Sequence, residues 1–150
     1  MTTKQDQLQS IVWKYRMSGN PWPAEARVMA EWAMEAGLYR PHPQAAVRQC
    51  AKEIARALRE EYHTDEKNRR VRTMHAVRSG QTVLWDDVRT APRLHMQVAF
   101  QQRRERIVDD CRQLKTDVDS YNDSNPERAP IQLVFDFTED LAELEVLSAA

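Results

Sequence analysis

The chain has 150 residues, 41% apolar and 30% charged, which allows one domain or one compact domain with an appendage. Its formal charge of −1 argues against a general polyanion binder. No early apolar run of signal-peptide type and no stretch of membrane-spanning length occurs, so a soluble cytoplasmic protein without a membrane partner is expected.

The small net charge hides an asymmetry. Residues 1–39 are neutral, residues 40–80 carry +5, residues 81–106 carry +2 and residues 107–150 carry −8. A basic middle and an acidic end imply an anionic partner for one face and a separate role for the tail. The tail folding back to mask the basic face is the alternative. Glycine is scarce, while Ala, Gln, Arg and Glu are plentiful, which favours helix over sheet.

A first helix is expected over residues 4–17, with Leu8, Ile11, Val12 and Tyr15 at helical spacing. Ser18-Gly19-Asn20-Pro21 stops it. Pro23 is suited to open a second helix, with Val28, Met29, Trp32, Ala33 and Ala36 as its apolar stripe and Gly37 as its end. Trp13, Trp22 and Trp32 are expected to cluster beneath these two helices, as core rather than as a base-stacking surface.

A basic amphipathic helix is expected from Pro43 to Tyr62. Val47, Cys50, Ala51, Ile54 and Leu58 fall on one side as a buried stripe, and Arg48, Lys52, Arg56 and Arg59 gather on the other. Cys50 and Cys111 lie far apart, without CxxC or histidine at metal-ligand spacing, and read as reduced core thiols. After a short charged loop, Val71, Thr73, His75 and Val77 alternate with Arg70, Arg72, Met74 and Ala76 as a strand does. Ser79-Gly80 is read as the turn and Thr82-Val83-Leu84-Trp85 as the return strand. With Val71 and Val77 inward, Arg70, Arg72 and Arg78 share the outer face, where they hold phosphates or protect an edge strand.

Helix, turn, helix, turn, basic helix, hairpin: over about residues 4–88 this order, with its charge placement, resembles the winged helix-turn-helix superfamily. The turn before the basic helix is longer than in the simplest members. The resemblance implies that Pro43–Tyr62 is a recognition helix and Arg70–Trp85 the wing. On double-stranded DNA, Arg48, Lys52, Arg56 and Arg59 are then expected along the major groove, with Gln44 and Gln49 as weaker base readers and Arg69, Arg70, Arg72 and Arg78 on phosphates.

Thr90 and Pro92 open the longest helix, about Ala91 to Tyr121. Ile107, Cys111, Leu114, Val118 and Tyr121 step by four, three, four and three, a short heptad seam that either packs internally or makes a homodimer through residues 91–121. The stretch 123–130 reads as a linker. Beyond it Ile131, Leu133, Phe135 and Phe137 alternate as a strand in need of an edge. Thr138 is read as the cap of a final helix with Glu139 and Asp140 in its first turn; a disordered acidic tail folding on a protein partner is the alternative.

The expected fold class is therefore mainly α with a small β-hairpin, a winged helix-turn-helix core over 1–88 and a long helix over 89–122. Residues 131–150 supply a strand and short helix or a partner-binding tail. No catalytic motif is present. Asp86-Asp87 and Asp109-Asp110 are paired carboxylates of the kind that suggests Mg2+ and a nuclease, and each has a structural explanation. His42, His63 and His95 have no orienting acid near in sequence. The expected role is a DNA-binding regulator or replication accessory factor without catalytic residues, metal or cofactor. A non-enzymatic adaptor using the long helix and acidic tail is the alternative.

Overall fold

The computed structural model describes residues 2–149. Its elements are α1 (Lys4–Met17), α2 (Ala26–Glu35), α3 (Ala45–Arg59), β1 (Tyr62–Thr64), β2 (Arg70–Arg72), β3 (Met74–Ser79), β4 (Thr82–Asp87), α4 (Arg93–Ser124) and α5 (Thr138–Ala149). The chain is thus mainly helical with a little antiparallel sheet. It forms two compact units, one up to Ala55 and one from Arg56 onward, so the division falls inside α3. Among the described residues no helix is long and apolar enough to cross a membrane.

In the first unit, Thr3 starts α1 with a reciprocal cap. Its hydroxyl accepts from Asp6 N, and Asp6 accepts from Thr3 N, both at 3.0 Å. The centre is Tyr15, only 2% exposed, with Ala33 of α2 beside it in the core. The Trp32 ring meets Tyr15 edge-on at 5.6 Å and Trp22 meets it tilted at 6.5 Å. The Tyr15 hydroxyl donates to the Pro21 carbonyl at 3.0 Å, which satisfies its one polar atom. The expected three-tryptophan cluster is corrected here, since Trp13 is 63% exposed and Tyr15 holds the central place. Leu8, Ile11, Val12 and Tyr15 share a helical face, and Trp13, two residues before Tyr15, points well off it.

Gly37 takes φ +71° and ends α2, while Leu38 N donates back to Ala33 O at 2.9 Å. Helix α3 starts later and ends earlier than the spacing predicts, because Tyr62 leaves it to pair in β1. It buries no side chain. Val47, Ala51 and Ile54 are exposed, as is Cys50, and Leu58 is half-buried, so most of the stripe expected as core is open. Amphipathic spacing establishes that a helix has an apolar side, not that another element covers it.

In the second unit the expected single hairpin becomes two small sheets. β1 pairs with β2, placing Tyr62 opposite Arg72 and Thr64 opposite Arg70. β3 pairs with β4 from Met74–Asp87 to Ser79–Thr82. Thr73 lies between β2 and β3 and faces both ways: its N–H donates to Glu61 O at 3.0 Å, and its carbonyl accepts from Val88 N at 2.9 Å. The extended run from Arg70 to Ser79 therefore changes partners at Thr73. The hairpin turn is Gly80-Gln81, one residue later than expected, with Gly80 at φ +62°.

α4 packs along β3. The ring N–H at His95 Nε2 donates to the His75 carbonyl at 2.9 Å, and Gln102 grips Arg78 by both its backbone N–H and its carbonyl, each at 2.8 Å. Seven helical residues rise about 10 Å and three strand residues advance about the same, so the two elements stay in step. By that measure the hairpin tip lies level with about Arg106, and the rest of α4 runs on beyond the sheet. There Ile107, Leu114 and Tyr121 of the heptad seam are exposed, while Cys111 and Val118 are half-buried.

Asn122 brings the chain back, donating to Ile131 O and accepting from Ile131 N, both at 2.9 Å. Residues 131–137 form no ladder, which corrects the expected strand: the β3–β4 and β1–β2 pairs are complete without it. α5 does form, and Asp136 rather than Thr138 supplies its cap, accepting from both the N–H and the hydroxyl of Thr138. Its Leu141, Leu144 and Leu147 are exposed.

Candidate functional site

The floor of the second unit is polar. Thr73 is 3% exposed and His75 is 8% exposed, with Ala99 of α4 beside them as the buried apolar residue. His75 Nε2–H donates to Arg72 O at 2.9 Å, and the Phe100 ring meets the imidazole edge-on at 5.3 Å. Burial lowers the His75 pKa, and the positive Arg103 and Arg72 add to this against the hydrogen bond to the Arg72 carbonyl, which raises it. The Thr73 hydroxyl pairs with His63 Nδ1 at 2.7 Å.

Above this floor opens a cleft of about 620 Å3, lined by β1, β2 and α4. Arg70, Arg72 and Arg103 bring three cations to it, and Tyr62 and Phe100 bring two aromatic rings. Alternation along β2 sends Arg70 and Arg72 to one side. From there the Arg70 guanidinium reaches diagonally across the strand pair and lies 4.0 Å above the Tyr62 ring. Arg72 and Arg103 are half-buried. Burial lowers the Arg103 pKa, and neighbouring Arg72 and Arg106 add to the effect.

The one acid on the lining is already committed. Asp65 accepts from Lys67 N and Arg69 N and pairs with the Arg69 guanidinium at 2.8 Å, which closes the β1–β2 turn with Asn68 at φ +62°. Those bonds from Arg69 hold the Asp65 carboxyl below its usual range. Among the described residues no ion pair involves Arg70, Arg72 or Arg103.

The residues singled out from the sequence fall on different elements. Gln44 sits just before α3, and Arg48, Gln49, Lys52, Arg56 and Arg59 lie on it. Arg56 is turned to Glu60 at 3.2 Å and Gln49 bonds Glu53 at 3.3 Å. Arg69 is held by Asp65, Arg70 and Arg72 face the cleft, and Arg78 stands at the far end of β3 with its backbone clasped by Gln102. The expected shared outer face of Arg70, Arg72 and Arg78 is thus corrected: β2 and β3 belong to different sheets, and Arg72 is half-buried.

No family model, no curated protein and no solved structure matches this chain, so its chemistry is read from its own geometry. Sequence reasoning missed Arg103 and His63 as partners of the β2 arginines. The Gln101–Arg106 run marks Arg103 as cationic but gives no sign of which helix face meets a strand thirty residues earlier. Asp86 and Asp87 also have defined partners. Asp87 grips Arg89 with both oxygens, at 3.0 and 2.7 Å, which lowers its pKa to about 2. Asp86 accepts from Asp87 N at 2.7 Å. Among the described residues no three His, Cys, Asp or Glu side chains gather as a metal site.

Proposed function

We propose that this chain binds double-stranded DNA as a transcriptional regulator or replication accessory factor, in the manner of a winged helix-turn-helix protein. The observation that carries the reading is a set of cations without acids. Arg48, Lys52 and Arg59 on α3, and Arg70, Arg72 and Arg78 in the strands, make no ion pair among the described residues. A helix that is only a solvated surface gains from i,i+4 pairs, and of the α3 cations only Arg56 has such a partner, Glu60 just past the helix end. Three helices followed by antiparallel strands is also the element order of that superfamily. Arg69, expected on a phosphate as well, falls outside this set because Asp65 already neutralises it.

The test is fluorescence anisotropy of the full chain on mixed duplex DNA over a salt series. Affinity is expected to fall steeply with salt. Arg70→Gln and Arg72→Gln should each flatten the log–log slope by about 0.9. Arg48→Gln and Lys52→Gln should alter sequence preference as well. Absence of binding at low salt removes the reading.

A second reading, a helical adaptor, is favoured by the exposed Leu141, Leu144 and Leu147 of α5 and the exposed Ile107, Leu114 and Tyr121 of α4. In it the acidic tail engages a protein and the α4 seam a second copy of the chain. Tail-dependent pulldown that survives neutralising the arginines supports it.

A further inference from the structure

We infer that the cleft formed by β1, β2 and the first half of α4 is a nucleotide site, with the phosphate on Arg72 and Arg103 and the base against Tyr62 and Phe100. The inference shares Arg70 and Arg72 with the DNA reading but needs nothing from α3.

Three features point to an anionic ligand. Two half-buried arginines, Arg72 and Arg103, line one cavity, and among the described residues neither makes an ion pair. A cation taken partly out of water without a counter-charge is unfavourable, and an incoming anion would offset that cost. Asp65, the one acid of the lining, is saturated by its own turn and by Arg69. Guanidinium forks are also matched in geometry to phosphate oxygens.

The remaining lining extends the ligand beyond a phosphate. At about 620 Å3 the cleft is of the size that holds an organic molecule, far roomier than an inorganic ion needs. The Arg70–Tyr62 stack and the Phe100 ring, half exposed, provide flat π surfaces of the kind on which bases stack. His63 spends Nδ1 on Thr73, and its Nε2 makes no hydrogen bond among the described residues, leaving one ring nitrogen for a ligand hydroxyl or phosphate oxygen. The same chemistry is met by a free nucleotide or by one unit of a nucleic-acid strand.

The experiment is calorimetric titration of the full chain with adenosine monophosphate, inorganic phosphate and a short duplex. The monophosphate is expected to bind and inorganic phosphate to bind more weakly. Arg72→Gln and Arg103→Gln should weaken the monophosphate by about ten- to a hundredfold, the loss of a charge-assisted hydrogen bond. Arg103→Met separates ligand binding from packing. It should melt no lower than the wild type without ligand, yet lose the stabilisation that the monophosphate confers. Competition between duplex and monophosphate assigns the site to a strand, and binding without competition assigns it to a free nucleotide; either supports the inference. Arg48→Gln with Lys52→Gln should change duplex binding only, so a failure of the α3 reading leaves the cleft result standing. Wild-type-like monophosphate binding by Arg103→Met, no monophosphate binding by the wild type, or equal affinity for inorganic phosphate overturns the assignment.

Discussion

The two units solve the problem of a small interior differently. The first closes on an aromatic side chain, Tyr15, against Trp22, Trp32 and Ala33. The second closes on Thr73 and His75, polar groups that are each hydrogen-bonded, with Ala99 as the buried apolar residue. Aromatic burial gives stability that rests on packing against its neighbours and changes little with pH near neutrality. A polar floor gives less net stability, since each bond replaces one made with water, but it aims its groups. The unit with the polar floor is the one that carries the arginine cleft, where direction matters more than depth of burial.

The largest test of this contrast is Tyr15→Ala, expected to cost about 3–5 kcal/mol as for other buried aromatic residues. Hydrogen exchange should show protection lost in α1 and α2 and retained at β3. Global loss of protection at the same denaturant concentration would mean that the units do not unfold separately. Next is Thr73→Val, which keeps the shape, removes the partner of His63 and is expected to cost about 1–3 kcal/mol in the second unit.

The contrast also has a pH signature. The His75 pKa is depressed in the folded chain, so the unfolded chain takes up the proton first. Stability from this residue is fully present above about pH 6.5 and falls as pH drops toward the folded value. Denaturant midpoints followed at pH 7.5 and 5.5 should move for the second unit and not through Tyr15. A His75→Gln variant that keeps the full pH dependence would assign it elsewhere.

Smaller still is Gln102→Ala, which frees the Arg78 backbone and is expected to cost about 1 kcal/mol, with faster exchange at the Arg78 amide. The smallest effect is local. The Asp87 carboxyl should titrate at about 2 by NMR, and Arg89→Ala should return it toward the ordinary value near 3.8. An unmoved Asp87 would show that the Arg89 pair is not the cause.

Local chemistry made much of the chain legible. α1 was readable from its apolar spacing and the Gly19–Pro21 stop, the start of α4 from Thr90 and Pro92, and the final helix from the polar cluster before Leu141. These signals act within one or two turns, so the sequence by itself determines them. Three matters were settled only by the tertiary structure. Thr73 divides the extended run between β1 and β4 because its two backbone groups find partners on different sides. Trp13 and the Val47–Ile54 stripe lie open because coverage depends on what another segment brings to that face. Arg103 joins Arg70 and Arg72 because α4 and β3 advance in step, which turns residues thirty positions apart into one cleft. Periodicity states which side of an element is apolar or charged. Only the packing of distant segments decides what that side meets, since contact between them depends on chain closure that no local pattern encodes.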